Sequence, residues 1–526
     1  MKKCAGRLCA YVTVIVMFAS AAFAAAFATD YTTFHFDNWR TGWNPNETVL
    51  VPSLLSGHFG RYMSVAVDGE VDAQPLYVAS ESIPGQGTHS LAIIATENDS
   101  LYAIDAASGT VIWQTNFGTP VTVDTAFTGN CAVPNPYAGI LSTPVIVRSS
   151  DTIYALAYTT IGSTPTYQLH ALSLGTGLDK YSPFTFGGST PGLNAAVQAQ
   201  RPALLYSNGA IYVGFGSFCD HEFQTSAGQI YAFGSSLNLA GHFAASYDLG
   251  SLWGAGFGPA ADAQGNVYFA TGNGMTLFSR GSYAQSVLKM APALKSMLDF
   301  FAPTSAPEES GNDLDLSSGG VMLLPDQYGP YGSYAHLMVA GGKTGTTFLL
   351  NRDNLGKWAA GAPDNIPYEV RTSSNFFGGP CYWRDASGNN YLGISGSGQP
   401  FSAYLMGLSP LSLTLWSRAP NTEYLVGEGG DTCTVSSNGP QGGTAIVWVV
   451  DGPASNANGV NGAMYLEAFD ASNPAQGYLF NAQAGLWGNA DGVSPPAYGA
   501  PFGSATVADG RVIVASNKMV TFWDSH

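Results

Sequence analysis

The chain has 526 residues, of which 45% are hydrophobic, 12% aromatic and only 10% charged. This composition excludes intrinsic disorder, which needs low hydrophobicity and high charge. The formal net charge is −17, and a surface this acidic repels phosphate backbones and anionic lipid. We therefore expect neither a nucleic-acid partner nor docking on an anionic membrane.

The first 28 residues are typical of a secretory signal peptide. Three basic residues precede an apolar run at 11–18, and small residues suited to a cleavage site follow at 22–28. The run is too short to span a membrane, which takes about 20 apolar residues, and no later stretch is long enough. The sequence predicts export and loss of residues 1–28. Residues 29–526, with a net charge of −20 once those three bases are lost, then form a single domain in the periplasm or outside the cell.

A repeat of short strands begins after an N-terminal segment, residues 31–67, that carries no copy of it. The clearest unit, at 91–118, reads LAIIATENDSLYAIDAASGTVIWQTNFG. Its second turn has the pattern Asp-x-x-x-Gly, in which Asp105 can accept hydrogen bonds from the amides ahead of it and Gly109 can supply a positive φ. Weaker copies lie at 167–177, 228–241, 346–356 and 463–477. The strand–turn–strand rhythm predicts an all-β fold.

Each unit is preceded by a first strand with its own signature, a small or polar residue followed by proline and apolar residues. The signatures lie at Gln74-Pro75, Thr143-Pro144, Arg201-Pro202, Gly258-Pro259 and Gly379-Pro380, with proline-free versions at Ser318-Gly319-Gly320, Ser436-Ser437 and Gly503-Ser504. Their spacing of about 57–70 residues suits four strands and variable loops. We predict an eight-bladed β-propeller of four-stranded antiparallel blades. A β-helix would show a shorter, stricter repeat, and separate sandwiches would need linkers.

Two segments need their own interpretation. Residues 285–303 break the pattern, and we expect a short helix or a loop over one face there. The last unit, 502–526, is too short for four strands. We predict that the N-terminal segment supplies its missing outer strand and closes the ring, which removes exposed sheet edges.

The units resemble the repeat of pyrroloquinoline-quinone (PQQ)-like propellers, in which a Tyr-Ala-hydrophobe-Asp strand leads through a small-residue–Gly turn to a tryptophan. LYAIDAASGTVIW at 101–113 fits this pattern, and DNWRTGWNPNET at 37–48 resembles the lead-in of secreted propellers of this type. The resemblance covers nearly all of the chain after residue 28. It implies the fold more than the function, because this superfamily contains quinoprotein dehydrogenases as well as assembly scaffolds.

The resemblance also implies a set of site residues. In a four-stranded blade, the loops between blades share one face with the loops between second and third strands, and the candidates lie in these loops. By similarity to the dehydrogenases, Asp313 or Asp315 would be the base, Trp253 the floor under PQQ, Lys343 a contact of a quinone carbonyl, and Asn273 and Glu222 ligands of Ca²⁺. Each residue also has a purely structural interpretation, as a turn, a cap, a packing side chain or a solvated lysine.

The sequence departs from the dehydrogenase pattern in three ways. It has no adjacent pair of cysteines, no CxxCH haem motif, and no Gly-x-Arg-Gly stretch after the calcium-binding acid. The loop at 216–229 instead offers Asp220 and Glu222 without an arginine.

Four cysteines remain after residue 28, and all map to the same loop-rich face in neighbouring blades. We predict the disulfides Cys131–Cys219 and Cys381–Cys433, each closing a long loop in an oxidising compartment.

Two functions follow from these observations. We favour a non-catalytic exported propeller that needs no cofactor and binds a protein or small-molecule ligand on its loop-rich face. The alternative is a dehydrogenase of alcohols or sugars that depends on PQQ and Ca²⁺. The three departures favour the first function.

Overall fold

A computed structural model describes residues 28–122, 137–188, 190–218, 220, 227–275, 277–278, 281–326, 334–375, 377–420, 432–451, 462–487 and 503–525. Within these ranges the chain forms eight sheets, each with four antiparallel strands, which are the blades of a propeller. Two of the sheets gain a short fifth strand, Gln198–Ala199 in blade 3 and Trp43–Asn44, which pairs in parallel, in blade 7. The predicted fold class is confirmed. First strands of successive blades pack side by side around the axis, and the fourth strands lie at the outside.

The first four blades follow the chain in order. Blade 1 contains Leu76–Ile83, Gly87–Ala95, Ser100–Asp105 and Val111–Asn116. Blade 2 contains Val145–Val147, Thr152–Ile161, Thr164–Ser173 and Phe184–Thr185. Blade 3 contains Leu205–Ser207, Ala210–Ser217, Gln229–Gly234 and Leu239–Ala244, with Gln198–Ala199 as an extra strand. Blade 4 contains Ala260–Ala261, Val267–Ala270, Val287–Met290 and Met297–Phe301.

The second half of the ring repeats this plan. Blade 5 contains Val321–Leu323, Leu337–Gly341, Thr346–Asn351 and Tyr368–Arg371. Blade 6 contains Cys381–Arg384, Asn390–Ile394, Ser402–Leu408 and Leu411–Arg418. Blade 7 contains Thr432–Ser436, Ile446–Asp451, Gly462–Asp470 and Tyr478–Trp487. Blade 8 contains Thr506–Ala508, Arg511–Ser516, Met519–Ser525 and, from the N-terminal segment, Phe59–Ala66.

The remaining elements are short. The α-helices are Pro52–His58 and Ala306–Gly311, and a small hairpin pairs Val121–Thr122 with Tyr137–Ala138. Turns of 3-10 helix lie at Arg148–Ser150, Gly254–Gly256, Pro292–Leu294, Leu316–Gly319 and Pro474–Gln476. In the ranges that the structure covers, no helix is long and apolar enough to cross a membrane.

Polar side chains fix the hairpin turns. Asp105 accepts hydrogen bonds from the amides of Ala107 and Ser108, at 3.0 and 2.7 Å, and Gly109 has a φ of +74°, as the Asp-x-x-x-Gly pattern predicted. A second turn type recurs in blades 4 and 6, where Asp262 and Asp385 each bind the amide and side chain of an asparagine four residues on. The matching sequences DAQGNVY and DASGNNY carry this signal, which the repeat analysis missed.

The N-terminal segment provides an outer strand, as predicted. Phe59–Ala66 pairs antiparallel with Met519–Ser525 as the fourth strand of blade 8. That this segment closes the ring stays a prediction.

An upstream part of the same segment, residues 31–44, contacts the axial strands instead. We call it the axial segment. It forms hydrogen bonds with the first strand of every blade, through Tyr77, Ile146, Tyr206, Ala261, Leu323, Tyr382, Val435 and Val507 in blade order. The repeat pattern does not predict this path, because the segment forms hydrogen bonds with one strand after another, and these strands lie far apart in the sequence.

Two expectations were wrong in detail. Residues 285–303 carry no α-helix and no covering loop; they form the third and fourth strands of blade 4, joined by a 3-10 turn at Pro292–Leu294. Pro292 and Lys295 belong to the connection between these strands, whereas Lys289 lies within the third strand. The first strand of blade 7 is Thr432–Ser436, so the signature Ser436-Ser437 lies at the end of this strand, and Cys433 lies inside the strand instead of in a loop.

The Cys381–Cys433 disulfide is present, with a Cα–Cα distance of 5.6 Å. It joins the first strands of blades 6 and 7 next to the axial segment, whose Thr41 and Gly42 carbonyls accept from Tyr382 and Val435. Cys131 and Cys219 lie outside the described residues, as do the predicted signal peptide up to residue 27 and Glu222.

Candidate functional site

Four of the predicted site residues meet on the loop-rich face. Asp313 and Asp315 lie in the loop before the first strand of blade 5, and Lys343 follows the second strand of the same blade. Asn273 follows the second strand of blade 4, and Asp220 occupies the corresponding loop of blade 3. We call Asp220, Asp313, Asp315 and Lys343 the carboxylate site. Asp220 contributes a carboxylate from the loop in which Glu222 was predicted as a Ca²⁺ ligand, and Glu222 itself lies outside the described residues.

One ammonium group is shared between two carboxylates. The Nζ atom of Lys343 lies 2.8 Å from Oδ2 of Asp315 and 3.1 Å from Oδ1 of Asp313. The backbone amide of Lys343 also donates to the Asp315 carbonyl at 3.0 Å. This hydrogen bond joins the loop that carries Lys343 to the loop that carries the two aspartates. Carboxylate oxygens of all three aspartates lie within 4.8 Å of one another.

The site runs from solvent into the protein. The side chain of Asp313 is 72% exposed, whereas that of Asp315 is 3% exposed and that of Lys343 is 16% exposed. Burial raises the pKa of Asp315, against the lowering effect of Lys343. Burial alone would lower the pKa of Lys343, but the charges of Asp315 and Asp313 outweigh it and raise that pKa.

Asp220 is held by two serines at the edge of the site. Its Oδ1 atom accepts from the hydroxyl of Ser217 at 2.7 Å and from that of Ser251 at 3.3 Å. Burial and the negative charges of Asp315 and Asp313 raise the pKa of Asp220 to about 6. The negative charges of Asp313 and Asp315 thus lie close enough to disfavour the ionisation of Asp220.

Asn273 approaches the site as a hydrogen-bond donor. Its backbone amide donates to Oδ1 of Asp315 at 2.8 Å, and its Nδ2 donates to Oδ1 of Asp313 at 2.6 Å. Its side-chain oxygen accepts from Gln285 at 3.1 Å. The preceding Gly272 is needed here, because a Cβ atom would lie 2.1 Å from Oδ1 of Asp315.

Trp253 lies in the loop before the first strand of blade 4, as predicted, and directly precedes the 3-10 turn Gly254–Gly256. Its ring nitrogen is buried and has no hydrogen-bond partner in the part of the chain that the structure describes. Further along this loop, Phe257 packs on the axial segment, with ring centroids 5.0 Å from Phe34 and 4.4 Å from His35. An aromatic layer therefore lies on the axis beside the loop that carries Trp253.

The donor set fits a hard divalent cation. Ca²⁺ takes carboxylate oxygens as ligands, and three carboxylates against one ammonium leave negative charge to be neutralised. A buried charge without a partner costs free energy of folding. Asp220, Asp313 and Asp315 are the residues that could hold the ion.

Comparison with known proteins gives the fold. No known family profile and no curated protein matches the sequence. Among solved structures, the chain is similar to the quinohemoprotein alcohol dehydrogenase of Comamonas testosteroni, with a TM-score of 0.61, 14% identity, and coverage of 96% of this chain and 81% of that chain. It is similar to quinohemoprotein alcohol dehydrogenase ADHIIG of Pseudomonas putida HK5, with a TM-score of 0.60, 12% identity, and coverage of 94% and 80%. A europium-containing methanol dehydrogenase gives a TM-score of 0.59 at 12% identity, with coverage of 94% and 98%. The chain therefore has the PQQ-like propeller fold of these dehydrogenases, as the sequence predicted.

Proposed function

We propose that this protein is an exported propeller that binds a divalent cation at the carboxylate site, and that the bound cation and Lys343 together recognise a ligand on the loop-rich face. The observation that carries the proposal is the convergence of three carboxylates within 4.8 Å around a single lysine. Export is supported by the signal-like residues 1–28 and by the Cys381–Cys433 disulfide.

The chemistry of the site explains why a cation and an anionic or polar ligand belong together. A divalent ion held by Asp220, Asp313 and Asp315 would neutralise the surplus charge, and the exposed side chain of Asp313 would leave it within reach of a ligand from solvent. Lys343 lies beside the same carboxylates and offers hydrogen-bond donors to an oxygen of the ligand. The ligand is a small molecule or a segment of a protein partner that presents such an oxygen.

Calcium titration tests this function directly. The chain from residue 29 onward, freed of metal with EDTA and dialysed, should bind one Ca²⁺ in isothermal titration calorimetry. Asp220→Asn and Asp315→Asn should each weaken binding at least tenfold, because each removes a charged oxygen ligand. Asp353→Asn is the matched control, because Asp353 is an exposed carboxylate that pairs with His336 instead. Absence of saturable binding, or an equal loss in the control variant, would contradict the proposal.

A PQQ- and Ca²⁺-dependent dehydrogenase of alcohols or sugars is the second candidate. The observation that favours it is the 2.8 Å contact between Lys343 and Asp315. When bound, the quinone would accept two electrons together with the hydrogen from the carbon that carries the substrate hydroxyl. Asp313 or Asp315 would take the hydroxyl proton, Lys343 would stabilise negative charge on a carbonyl oxygen, and Trp253 would lie against the ring.

One assay distinguishes the two candidate functions. Purified protein is titrated with PQQ in the presence of Ca²⁺, and turnover of alcohols and sugars is followed with an artificial electron-accepting dye. Stoichiometric quinone binding with turnover, lost in Asp315→Asn, would establish the dehydrogenase and overturn the binding function. Calcium binding without quinone binding would support the first function.

A further inference from the structure

A fully buried glutamine lies behind the carboxylate site. Gln285 precedes the third strand of blade 4, is 0% exposed, and has a φ of +50°, a conformation rare for a residue with a side chain. Its backbone amide donates to the Gly272 carbonyl at 2.7 Å. Its side chain reaches both the loop of Asn273 and the loop that carries the two aspartates.

Backbone groups fix the orientation of the Gln285 amide. Its Oε1 accepts from the amide of Leu316 at 2.8 Å, and its Nε2 donates to the carbonyl of Leu314 at 3.1 Å. A backbone N–H can only donate and a backbone carbonyl can only accept. The two ends of the Gln285 amide therefore cannot exchange places without two unfavourable contacts.

This orientation passes to the next amide. The Nε2 atom of Gln285 also donates to Oδ1 of Asn273 at 3.1 Å, which leaves the Nδ2 atom of Asn273 facing Asp313 at 2.6 Å. A reversed Asn273 would put its oxygen against a carboxylate and its nitrogen against a donor. The backbone thus fixes the orientation of the Gln285 amide, and Gln285 in turn fixes the orientation of the Asn273 amide beside Asp313. We call this pair of contacts the relay.

We propose that Gln285 is a positioning residue of the carboxylate site, which orients Asn273 so that a donor nitrogen holds Asp313 in place. This inference rests on the proposed function. It makes Asn273 a donor to a cation ligand and not a ligand itself, which differs from the role that the resemblance to the dehydrogenases implied. Gln285 acts on the cation only through Asn273 and Asp313.

A double-mutant cycle tests the relay. Calcium affinity is measured by calorimetry for Gln285→Met, Asn273→Ala and the combined variant. We expect each single change to lower the affinity about tenfold, the value of one hydrogen bond to a charged group. The combined variant should lose no more than the larger single change, because both act through the same contact. Additive losses, or wild-type affinity in Gln285→Met, would overturn the proposal.

Gln74→Met is the matched control. Gln74 is also a buried glutamine whose oxygen accepts a backbone amide, that of His35, and whose nitrogen donates to a backbone carbonyl, that of Ala505. It lies in blade 1, so this variant should lose stability and keep calcium affinity. A simple loss of structure would instead affect both variants alike.

Two further outcomes are decisive. If Gln285→Met does not fold, Asn273→Ala alone decides, since it keeps both backbone contacts of Gln285: a tenfold loss supports the relay and unchanged affinity overturns it. If the wild-type chain binds no Ca²⁺, the proposed function itself fails before any variant is compared, and the relay fails with it.

Discussion

The axial segment and the carboxylate site solve opposite problems of buried charge. Arg40 of the axial segment is 0% exposed, and its guanidinium donates to four oxygens that carry no formal charge. These are Oγ1 of Thr33 and the carbonyls of Phe34, Pro259 and Leu204, at 2.7, 2.8, 3.0 and 3.1 Å. A buried cation with this many acceptors needs nothing from outside the chain.

The carboxylate site is built the other way. Asp220, Asp313 and Asp315 crowd around one ammonium, and burial raises the pKa of Asp220 and of Asp315. The chain supplies acceptors in excess and too little positive charge to match them. The comparison teaches that Arg40 serves the fold, whereas the surplus charge of the carboxylates is best explained by a ligand.

The largest expected effect is the loss of the Arg40 guanidinium. Arg40→Met should lower the free energy of unfolding by about 3–5 kcal/mol, because carbonyls beside blades 3 and 4 and one of the axial segment lose their donor while buried. Urea unfolding followed by tryptophan fluorescence measures it. The loss should be the same with EDTA and with Ca²⁺. A loss seen only with Ca²⁺ would show that Arg40 supports the site and would break the comparison.

The disulfide should come next. Replacing both Cys381 and Cys433 with alanine should cost roughly 2–4 kcal/mol, since the bond closes a loop of 52 residues in sequence. Unfolding of this variant is compared with that of the wild-type chain with and without a reductant. Wild-type stability that does not change on reduction would show that the bond adds nothing to the contacts of the axial segment.

How far the sequence predicts the molecule differs between these two regions. The repeat predicted the blades because each strand and turn carries its own local pattern, such as Asp105 with Gly109. The loop rule then brought Asn273, Asp313, Asp315 and Lys343 to one face. The path of the axial segment was missed, because it reaches six of the blades through backbone groups, which leave no trace in residue identity, and only the other two through the side chains of Asn38 and Asn44.

The same limit applies inside the site. Asp220 and Glu222 are two residues apart in one loop, and only the fold shows that Asp220 meets the other carboxylates. Gln285 was overlooked because a buried glutamine has no motif of its own. Its stretch, 285–303, was also assigned to the wrong element. Long-range partners decide both cases, and neither periodicity nor composition reports them.

Calcium should stabilise the chain by an amount that depends on Asp315. At 100 times its dissociation constant, a ligand that binds only the folded state adds about 2.7 kcal/mol. We expect this gain in the wild-type chain and its loss in Asp315→Asn, measured as the shift in melting temperature between EDTA and Ca²⁺. Arg40→Met should keep the shift from its lower baseline. An unchanged shift in Asp315→Asn would contradict the division between the two regions.

The smallest expected effect concerns acids that belong to neither region. Burial raises the pKa of Asp99 and of Glu309 to about 7 and that of Glu467 to about 8. A carboxyl with a raised pKa in the folded state binds its proton more tightly there than in the unfolded chain, so protonation favours folding. Stability should therefore rise as the pH falls from 9 to about 6.5.

The buried His35 opposes this trend below pH 6.5. Burial lowers its pKa to about 3, so the unfolded chain gains a proton that the folded chain refuses, and this single group offsets part of the gain from the three acids. Urea unfolding in EDTA should show a stability at pH 6.5 that exceeds the stability at pH 9 by on the order of 1–3 kcal/mol. A chain equally stable at pH 9 and pH 6.5 would show that these acids are ionised in the fold. Buried carboxylates would then be charged elsewhere in the fold as well, so buried negative charge would not distinguish the carboxylate site.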